Sequence, residues 1–193
     1  ENIYSVVNAK VASVKPEECD VYFLPFLYGS NAHPLGKGAF IGLTTYHNKA
    51  HMLRAIYEGV VFSHKTHIER LLLSRERPEA IRMAGGAANS EVWVQMFADV
   101  SGIAVETVEA KELGGLGGAM AAAAGIGRYD SLIEASAKMT RVTRHYLPDS
   151  KQVRLYQEKY AVYLELLQAL ACSWKKLSSM QERMKHDEFL GNL

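Results

Sequence analysis

Hydrophobic and polar positions repeat with two different periods along this chain, and each period predicts one kind of element. Four short, mostly apolar runs are typical of buried strands: residues 20–27, 39–43, 80–84 and 103–108. Between them, apolar side chains recur at the spacing of one helix face over 47–74 and 89–100. Strands that alternate with helices in this way predict an α/β layer structure.

The C-terminal part of the chain has a different pattern. No proline or glycine interrupts the residues from Ser150 to Lys185. Apolar side chains form a helical stripe there: Val153, Tyr156, Tyr160, Tyr163, Leu167 and Leu170. We predict one long helix over 150–188 that packs along the rest of the chain. We interpret the stripe as core contact, with the binding of a partner as the less favoured alternative.

A pair of glycines separates the predicted strand 80–84 from the helix that follows it. We call residues 85–90, which read GGAANS, the glycine turn. Glycine has no Cβ, so a ligand can approach the main chain closely at Gly85 and Gly86. The free N–H groups and the positive dipole end of the new helix favour polar or anionic groups beside it. By itself, the same pattern also fits a tight connection between a strand and a helix.

The bulk composition argues against several classes of function. The formal net charge is +1, so attraction to nucleic acid or to a membrane surface is not expected. No window is apolar for long enough to span a bilayer. Cys19 and Cys172 lie far apart, without the spacing of metal ligands, which favours a reducing, cytoplasmic location. The chain begins at Glu1 without the pattern of a signal peptide, and we interpret it as a processed product or an excised domain.

Other candidate sites in the sequence have plainer explanations. Two pairs of histidines have helical spacing: His47 with His51, and His64 with His67. No third ligand accompanies either pair, so we interpret these histidines as structural and predict no metal site. The glycine-rich run 112–118 lacks the Lys-Ser/Thr of a phosphate-binding P-loop. We expect this run to pack the helix that follows it, over 119–124, closely against the sheet.

Three motifs resemble those of one protein family. Residues 38–43 (GAFIGL), seven intervening residues and then residues 51–58 (HMLRAIYE) resemble the C-terminal signature of the FGGY carbohydrate kinases. The glycine turn resembles the adenosine motif of the same family, and residues 112–119 resemble its next glycine-rich segment. The resemblance covers residues 21–129 in a consistent order.

The resemblance implies a two-domain protein of the actin-like, ribonuclease-H-like type, with ATP and a sugar bound between the domains. Residues 1–193 would form the C-terminal, nucleotide-side domain, a mixed sheet flanked by helices that includes the long C-terminal helix. The family's phosphate-binding loop and catalytic aspartate belong to the N-terminal domain, and this sequence contains neither motif. We therefore assign no catalytic residue here and expect the chain by itself to be inactive.

The implied reaction is the transfer of the ATP γ-phosphate to a sugar hydroxyl with Mg²⁺ present, which depends mainly on positioning and charge stabilisation. The resemblance places six residues beside the nucleotide: Gly85, Gly86, Asn89, Ser90, Gly29 and Ser30. The two glycines of the turn would let adenosine lie against the backbone. The amide and the hydroxyl at the start of the helix would offer hydrogen bonds to the base or the ribose.

The expected partners follow from the same resemblance. Residues 23–32 and 53–62 resemble family members that act on L-xylulose, so a ketopentose is the expected acceptor. The other partners are ATP and the N-terminal domain of the same chain, and formation of a homodimer stays open. Two further functions also stay open: a non-catalytic actin-like module for regulation or assembly, and an unrelated α/β binding domain that oligomerises through its last helix.

Overall fold

The computed structural model describes residues 2–29, 32–109 and 112–191, with side chains described up to Met184. Its helices are α1 (Ile3–Ala12), α2 (Lys49–Leu72), α3 (Glu91–Ser101), α4 (Leu113–Gly125), α5 (Leu132–Met139) and α6 (Ser150–Gly191). Its strands are β1 (Tyr22–Leu24), β2 (Ala39–Ile41), β3 (Ala80–Met83), β4 (Ala104–Val108) and β5 (Val142–Tyr146). Within these ranges, no helix is both long and apolar enough to cross a membrane.

The chain divides into two compact units, and the divisions fall inside α1, α2 and α6. The first unit comprises Glu1–Asn8 and His67–Val153, and it contains the three-stranded sheet β3–β4–β5 with α3, α4 and α5. The second unit comprises Ala9–Thr66 and Arg154–Leu193, and it contains the antiparallel pair β1–β2 with most of α2 and α6.

Strand β4 lies at the centre of the sheet in the first unit. It pairs in parallel with β3, which places Ile81 beside Val105, and it pairs antiparallel with β5. Helix α3 packs on this sheet through Val94 and Ala98, which are buried together with Val105. Gly102 follows α3 in the left-handed conformation (φ +66°) and leads the chain into β4. Because β3 and β4 are parallel, their carboxyl ends lie at the same edge of the sheet.

Aromatic side chains form much of the core of the second unit. The ring of Phe62 on α2 contacts the rings of Tyr156, Tyr160 and Tyr163 on α6, with centroid separations of 6.2, 5.9 and 5.3 Å. All three tyrosines are buried. This part of the predicted apolar stripe is therefore core contact, as expected.

A group of charged side chains is buried beside these aromatic rings. Glu58 Oε1 accepts hydrogen bonds from Arg54 Nε at 2.8 Å and from the Tyr156 hydroxyl at 3.2 Å, and Oε2 accepts from Lys159 Nζ at 2.5 Å. Burial and then the charge of Glu58 raise the pKa of Tyr156 well above its usual value, so the phenol remains a donor. We call Arg54, Glu58, Tyr156 and Lys159 the buried polar cluster.

The two cations of this cluster also hold the segment that precedes β1. Arg54 Nη1 donates to the carbonyl oxygen of Val14 at 2.5 Å, and Lys159 Nζ donates to that of Cys19 at 2.7 Å. Arg54 and Glu58 belong to the signature run 51–58. The charged residues of that signature therefore organise the interior of the second unit, because each buried cation has Glu58 as its charged partner and a backbone carbonyl as a further acceptor.

Two expectations from the sequence are corrected by the structure. The predicted strand 20–27 is shorter, because β1 ends at Leu24 and Pro25 has no N–H to continue a ladder. The glycine-rich run does not pack closely on the sheet. It forms the first turns of α4, and a Cβ on Gly114 or Gly117 would meet nothing within 4 Å among the described residues.

Candidate functional site

An open cavity of about 600 Å³ lies at the carboxyl ends of β3 and β4 in the first unit. Its lining comes from the glycine turn, the start of α3, the end of β4 and strand β5: Gly85, Gly86, Ala88, Asn89, Glu91, Thr107, Val108, Thr143, Arg144 and Tyr146. We call it the turn cavity. Crevices outside the carboxyl ends of parallel strands are the usual ligand sites of open α/β sheets.

The backbone of the glycine turn faces open space. Gly85 has φ +87° and ψ −168°, a conformation that is essentially restricted to glycine. It is followed by a short 3₁₀ helix, Gly86–Asn89, in which the Ala88 N–H donates to the Gly85 carbonyl oxygen at 3.1 Å. A Cβ built on Gly85 or Gly86 would meet no atom of the described residues within 4 Å. A ligand could therefore lie directly against this backbone, as the sequence predicts.

The two glycines of the turn should respond differently to alanine. Gly85→Ala forces an L residue to φ +87° and is expected to lower the free energy of unfolding by about 1–3 kcal/mol. Gly86 does not have a positive φ and has room for a methyl group, so Gly86→Ala is expected to leave stability within about 0.5 kcal/mol. Urea unfolding followed by the fluorescence of Trp93, in a Trp174→Phe background, measures both changes. Equal effects of the two variants would contradict the conformation described for Gly85.

Asn89 lies at the end of the 3₁₀ helix, exposed on the wall of the turn cavity. Its side-chain amide makes no hydrogen bond within the described part of the chain. An amide carries both donors and acceptors, so Asn89 can bond a base edge or a ribose hydroxyl without rearrangement.

Ser90 has a different position from the one expected. It is 6% exposed and is not part of the cavity lining. Its hydroxyl donates to Asn8 Oδ1 at 2.8 Å and accepts from the backbone N–H of Trp93, so it caps α3. The structure thus gives Ser90 a capping role at the start of α3, and its contact with a nucleotide stays a prediction.

Of the other two predicted residues, the structure describes only Gly29, which is not part of the cavity lining. Gly29 belongs to the second unit, where it is exposed with φ +99°, and a Cβ there would meet nothing within 4 Å in the part of the chain that the structure describes. Ser30 lies outside the described residues. The role of both residues beside a nucleotide stays a prediction.

Strand β5 contributes cavity residues that the sequence did not point to. The Arg144 guanidinium forms an ion pair with the carboxylate of Glu91, in the first turn of α3, and both side chains line the cavity. This pair leaves the rim of the cavity without net charge. Thr143 and Tyr146 complete the β5 side. The β-branched and aromatic residues of β5 are weak strand signals, and they occur here without an apolar run.

The histidine pair near β2 is engaged in structural hydrogen bonds. His47 Nδ1 accepts the backbone N–H of Thr44 at 2.9 Å, and this assigns the ring proton to Nε2, which lies 2.6 Å from Asp20 Oδ1. The hydrogen bond from His47 lowers the pKa of the Asp20 carboxyl. Among the described residues, no group of three or more His, Cys, Asp or Glu side chains is arranged to hold a metal ion.

Comparison with known proteins establishes the family. The model of the C-terminal domain of the FGGY family of carbohydrate kinases matches residues 2–126, and this chain belongs to that family. The L-xylulose/3-keto-L-gulonate kinase of Escherichia coli (strain K12) is 44% identical over 167 residues, which are 86% of this chain and 34% of that protein. A probable L-xylulose kinase of Haemophilus influenzae is 40% identical, with the same 86% and 34% coverage. The chain thus spans about a third of the length of these curated relatives.

Solved structures show the same relationship at the level of the fold. The ligand-bound xylulose kinase from Lactobacillus acidophilus superposes with a TM-score of 0.81 at 26% identity, over 90% of this chain and 36% of that one. The gluconate kinase from the same organism gives a TM-score of 0.80, also at 26% identity, over 90% of this chain and 36% of that one. The predicted actin-like α/β fold is confirmed.

Proposed function

We propose that this chain is the nucleotide-side domain of an ATP-dependent carbohydrate kinase and that the turn cavity receives the adenosine part of ATP. The observation that carries the proposal is the position of the glycine turn. The residues that resemble the family's adenosine motif form one open wall of a cavity of about 600 Å³, a volume within the usual range for small-molecule sites.

The chemistry of the lining suits a nucleoside. Gly85 and Gly86 offer uncovered backbone, Asn89 offers a free amide, and the Glu91–Arg144 pair keeps the rim electrically neutral. A neutral rim is suited to the base and ribose rather than to the phosphates. We therefore propose that the phosphates extend away from this cavity.

The reaction needs groups that the residues of this chain do not provide. We propose that the phosphate-binding loop and the catalytic aspartate come from an N-terminal domain of the same protein, which closes on the nucleotide and excludes water. Mg²⁺ would then be held by the ATP phosphates and by that domain, since the described residues here offer no cluster for a metal. The γ-phosphate would pass in line to a sugar hydroxyl, and this chain alone would not turn over.

The acceptor that we propose is a ketopentose, with L-xylulose as the first candidate. Support comes from the two relatives that are 44% and 40% identical, an L-xylulose/3-keto-L-gulonate kinase and a probable L-xylulose kinase. Because the matched relatives are about three times as long as this chain, most of a sugar pocket could come from residues outside it. A panel of ketopentoses and polyols, assayed with ATP on the full-length protein, tests this choice.

Gly86→Val in the full-length protein tests the nucleotide assignment. The isopropyl side chain of valine would occupy space that the proposal gives to adenosine, so the KM for ATP is expected to rise about tenfold or more. The KM for the sugar should stay within about twofold, because the substitution does not touch the acceptor. Gly117→Ala, on the open face of α4, is the control and should change neither constant. An unchanged KM for ATP in a folded Gly86→Val protein would contradict the proposal.

A further inference from the structure

A β-bulge changes the direction of side chains on the floor of the turn cavity. Thr107 pairs with Arg144 and Val108 pairs with Val142, which leaves Thr143 as the extra residue of β5. In a regular strand, successive side chains point to opposite faces of the sheet. Here the neighbours Thr143 and Arg144 both line the cavity. The extra residue of the bulge thus belongs to the cavity lining, and bulges are common beside ligand sites.

The hydrogen bonds of Thr143 fix the direction of its proton. Its hydroxyl donates to the backbone carbonyl oxygen of Thr107 at 3.1 Å, and its Oγ1 lies 3.0 Å from Thr107 Oγ1. Thr143 has a single hydroxyl proton, and a carbonyl can only accept. With the Thr143 proton assigned to this carbonyl, Thr107, which is 5% exposed, is assigned as the donor in the contact between the two hydroxyls.

With both protons committed, Thr143 presents only an acceptor to the cavity. Thr143 is exposed, and one lone pair of its Oγ1 remains after the bond from Thr107. A ligand group placed there forms a hydrogen bond only if it is a donor. A carbonyl oxygen at the same place would face a second acceptor and would lose its bond to water without replacement.

We propose that Thr143 is a specificity-determining residue of the nucleotide site, whose hydroxyl accepts a hydrogen bond from an N–H or O–H donor of the nucleoside. The inference rests on the proposed function of the turn cavity. The two donor types that a nucleoside offers are the exocyclic amino group of adenine and the ribose hydroxyls. Hypoxanthine carries a carbonyl oxygen in place of that amino group, and deoxy-ribose lacks one hydroxyl.

Calorimetric titration of the full-length protein separates these donors. The ligands are ADP, IDP, 2′-deoxy-ADP and 3′-deoxy-ADP. Thr143→Val is expected to weaken ADP about tenfold, the loss of one hydrogen bond that leaves an unpaired group. One of the three analogues lacks the group that donates to Thr143, and it has no hydrogen bond to lose. Its affinity should therefore change by less than about twofold in the Thr143→Val variant. If IDP is the unaffected analogue, the donor is the amino group of adenine. If a deoxy analogue is unaffected, the donor is the ribose hydroxyl that it lacks.

Two further variants control the experiment. Thr143→Ser keeps the hydroxyl and should keep the ADP affinity within about threefold. Thr140→Val removes a threonine hydroxyl that lies outside the turn cavity and should leave every affinity unchanged. If Thr143→Val does not fold, the affinities of the unsubstituted protein for the four ligands provide the test. Equal affinities for all four overturn the inference.

The outcomes for Thr143 and for the proposed function are distinguishable. If ADP binds but Thr143→Val weakens all four ligands by one common factor, or none of them, the specificity role is wrong and the nucleotide site stands. If ADP does not bind the unsubstituted protein, both proposals fail together.

Discussion

Glu58→Gln is expected to lower the free energy of unfolding of the second unit by about 3–5 kcal/mol. Glu58 is 1% exposed. Among the hydrogen bonds described for the buried polar cluster, no other carboxylate takes part. Glutamine has nearly the same shape but no charge, so the buried cations of Arg54 and Lys159 would lose their counter-charge. Removing one partner of a buried ion pair costs far more than the net value of the pair, because the remaining charge stays desolvated.

Trp174 provides the measurement for this prediction. The chain has two tryptophans, and Trp174 is buried in the second unit against Phe26. A Trp93→Phe background leaves its fluorescence as the only tryptophan signal during urea unfolding. The exposed Glu165 of α6 gives a matched control, since Glu165→Gln should change stability by less than about 0.5 kcal/mol. Adding Lys159→Met to Glu58→Gln should recover part of the loss, since it removes one of the unpaired cations. A loss below about 1 kcal/mol would contradict the described cluster.

Gly59→Ala is expected to destabilise the second unit by about 2 kcal/mol or more, although alanine has a higher helix propensity than glycine. A Cβ at Gly59 would overlap the carbonyl oxygen of Phe23 and lie 3.2 Å from the Phe23 Cβ. Neither atom belongs to a flexible side-chain end, so β1 or α2 would have to move. The same tryptophan signal in urea reports the change.

Gly117→Ala is the matched control for Gly59→Ala. Gly117 is also helical, but an added Cβ there would meet none of the described residues within 4 Å. The substitution should stabilise α4 by up to about 1 kcal/mol, because alanine is the better helix former. Two substitutions of the same kind are thus expected to have opposite signs. A stabilising Gly59→Ala would show that α2 does not approach β1 as described.

The sequence predicts the elements that have strong periodicity. The apolar pattern correctly places helix α2, strands β3 and β4 and the long helix α6. Each of these elements has a buried face, and a buried face requires apolar residues at regular spacing. Helix α5 and strand β5 were not predicted. Three of the five residues of β5 are exposed, so the strand lacks an apolar run and depends on its pairing with β4.

The candidate site was predictable only where it is local in sequence. Gly85, Gly86 and Asn89 lie in one turn, and the motif resemblance finds them together. Thr143 and Arg144 line the same cavity but belong to a strand more than fifty residues away. The local sequence does not predict the bulge in that strand. The sequence does not separate the two roles of Ser90, because a serine at a helix start fits a cap and a ligand contact equally well. Its hydrogen bond to Asn8, which is distant in sequence, is seen only in the structure.

The most direct test of the central claim is the amide NMR spectrum of the 193-residue chain during titration with ADP. If adenosine lies against the glycine turn, the amide signals of Gly85, Gly86 and Asn89 should shift together with saturable concentration dependence. The amide signals of Gly59 and Gly117, which do not line the turn cavity, should stay in place. Saturable shifts confined to other residues, or no shift at millimolar ADP, would contradict the assignment of the turn cavity to the nucleotide.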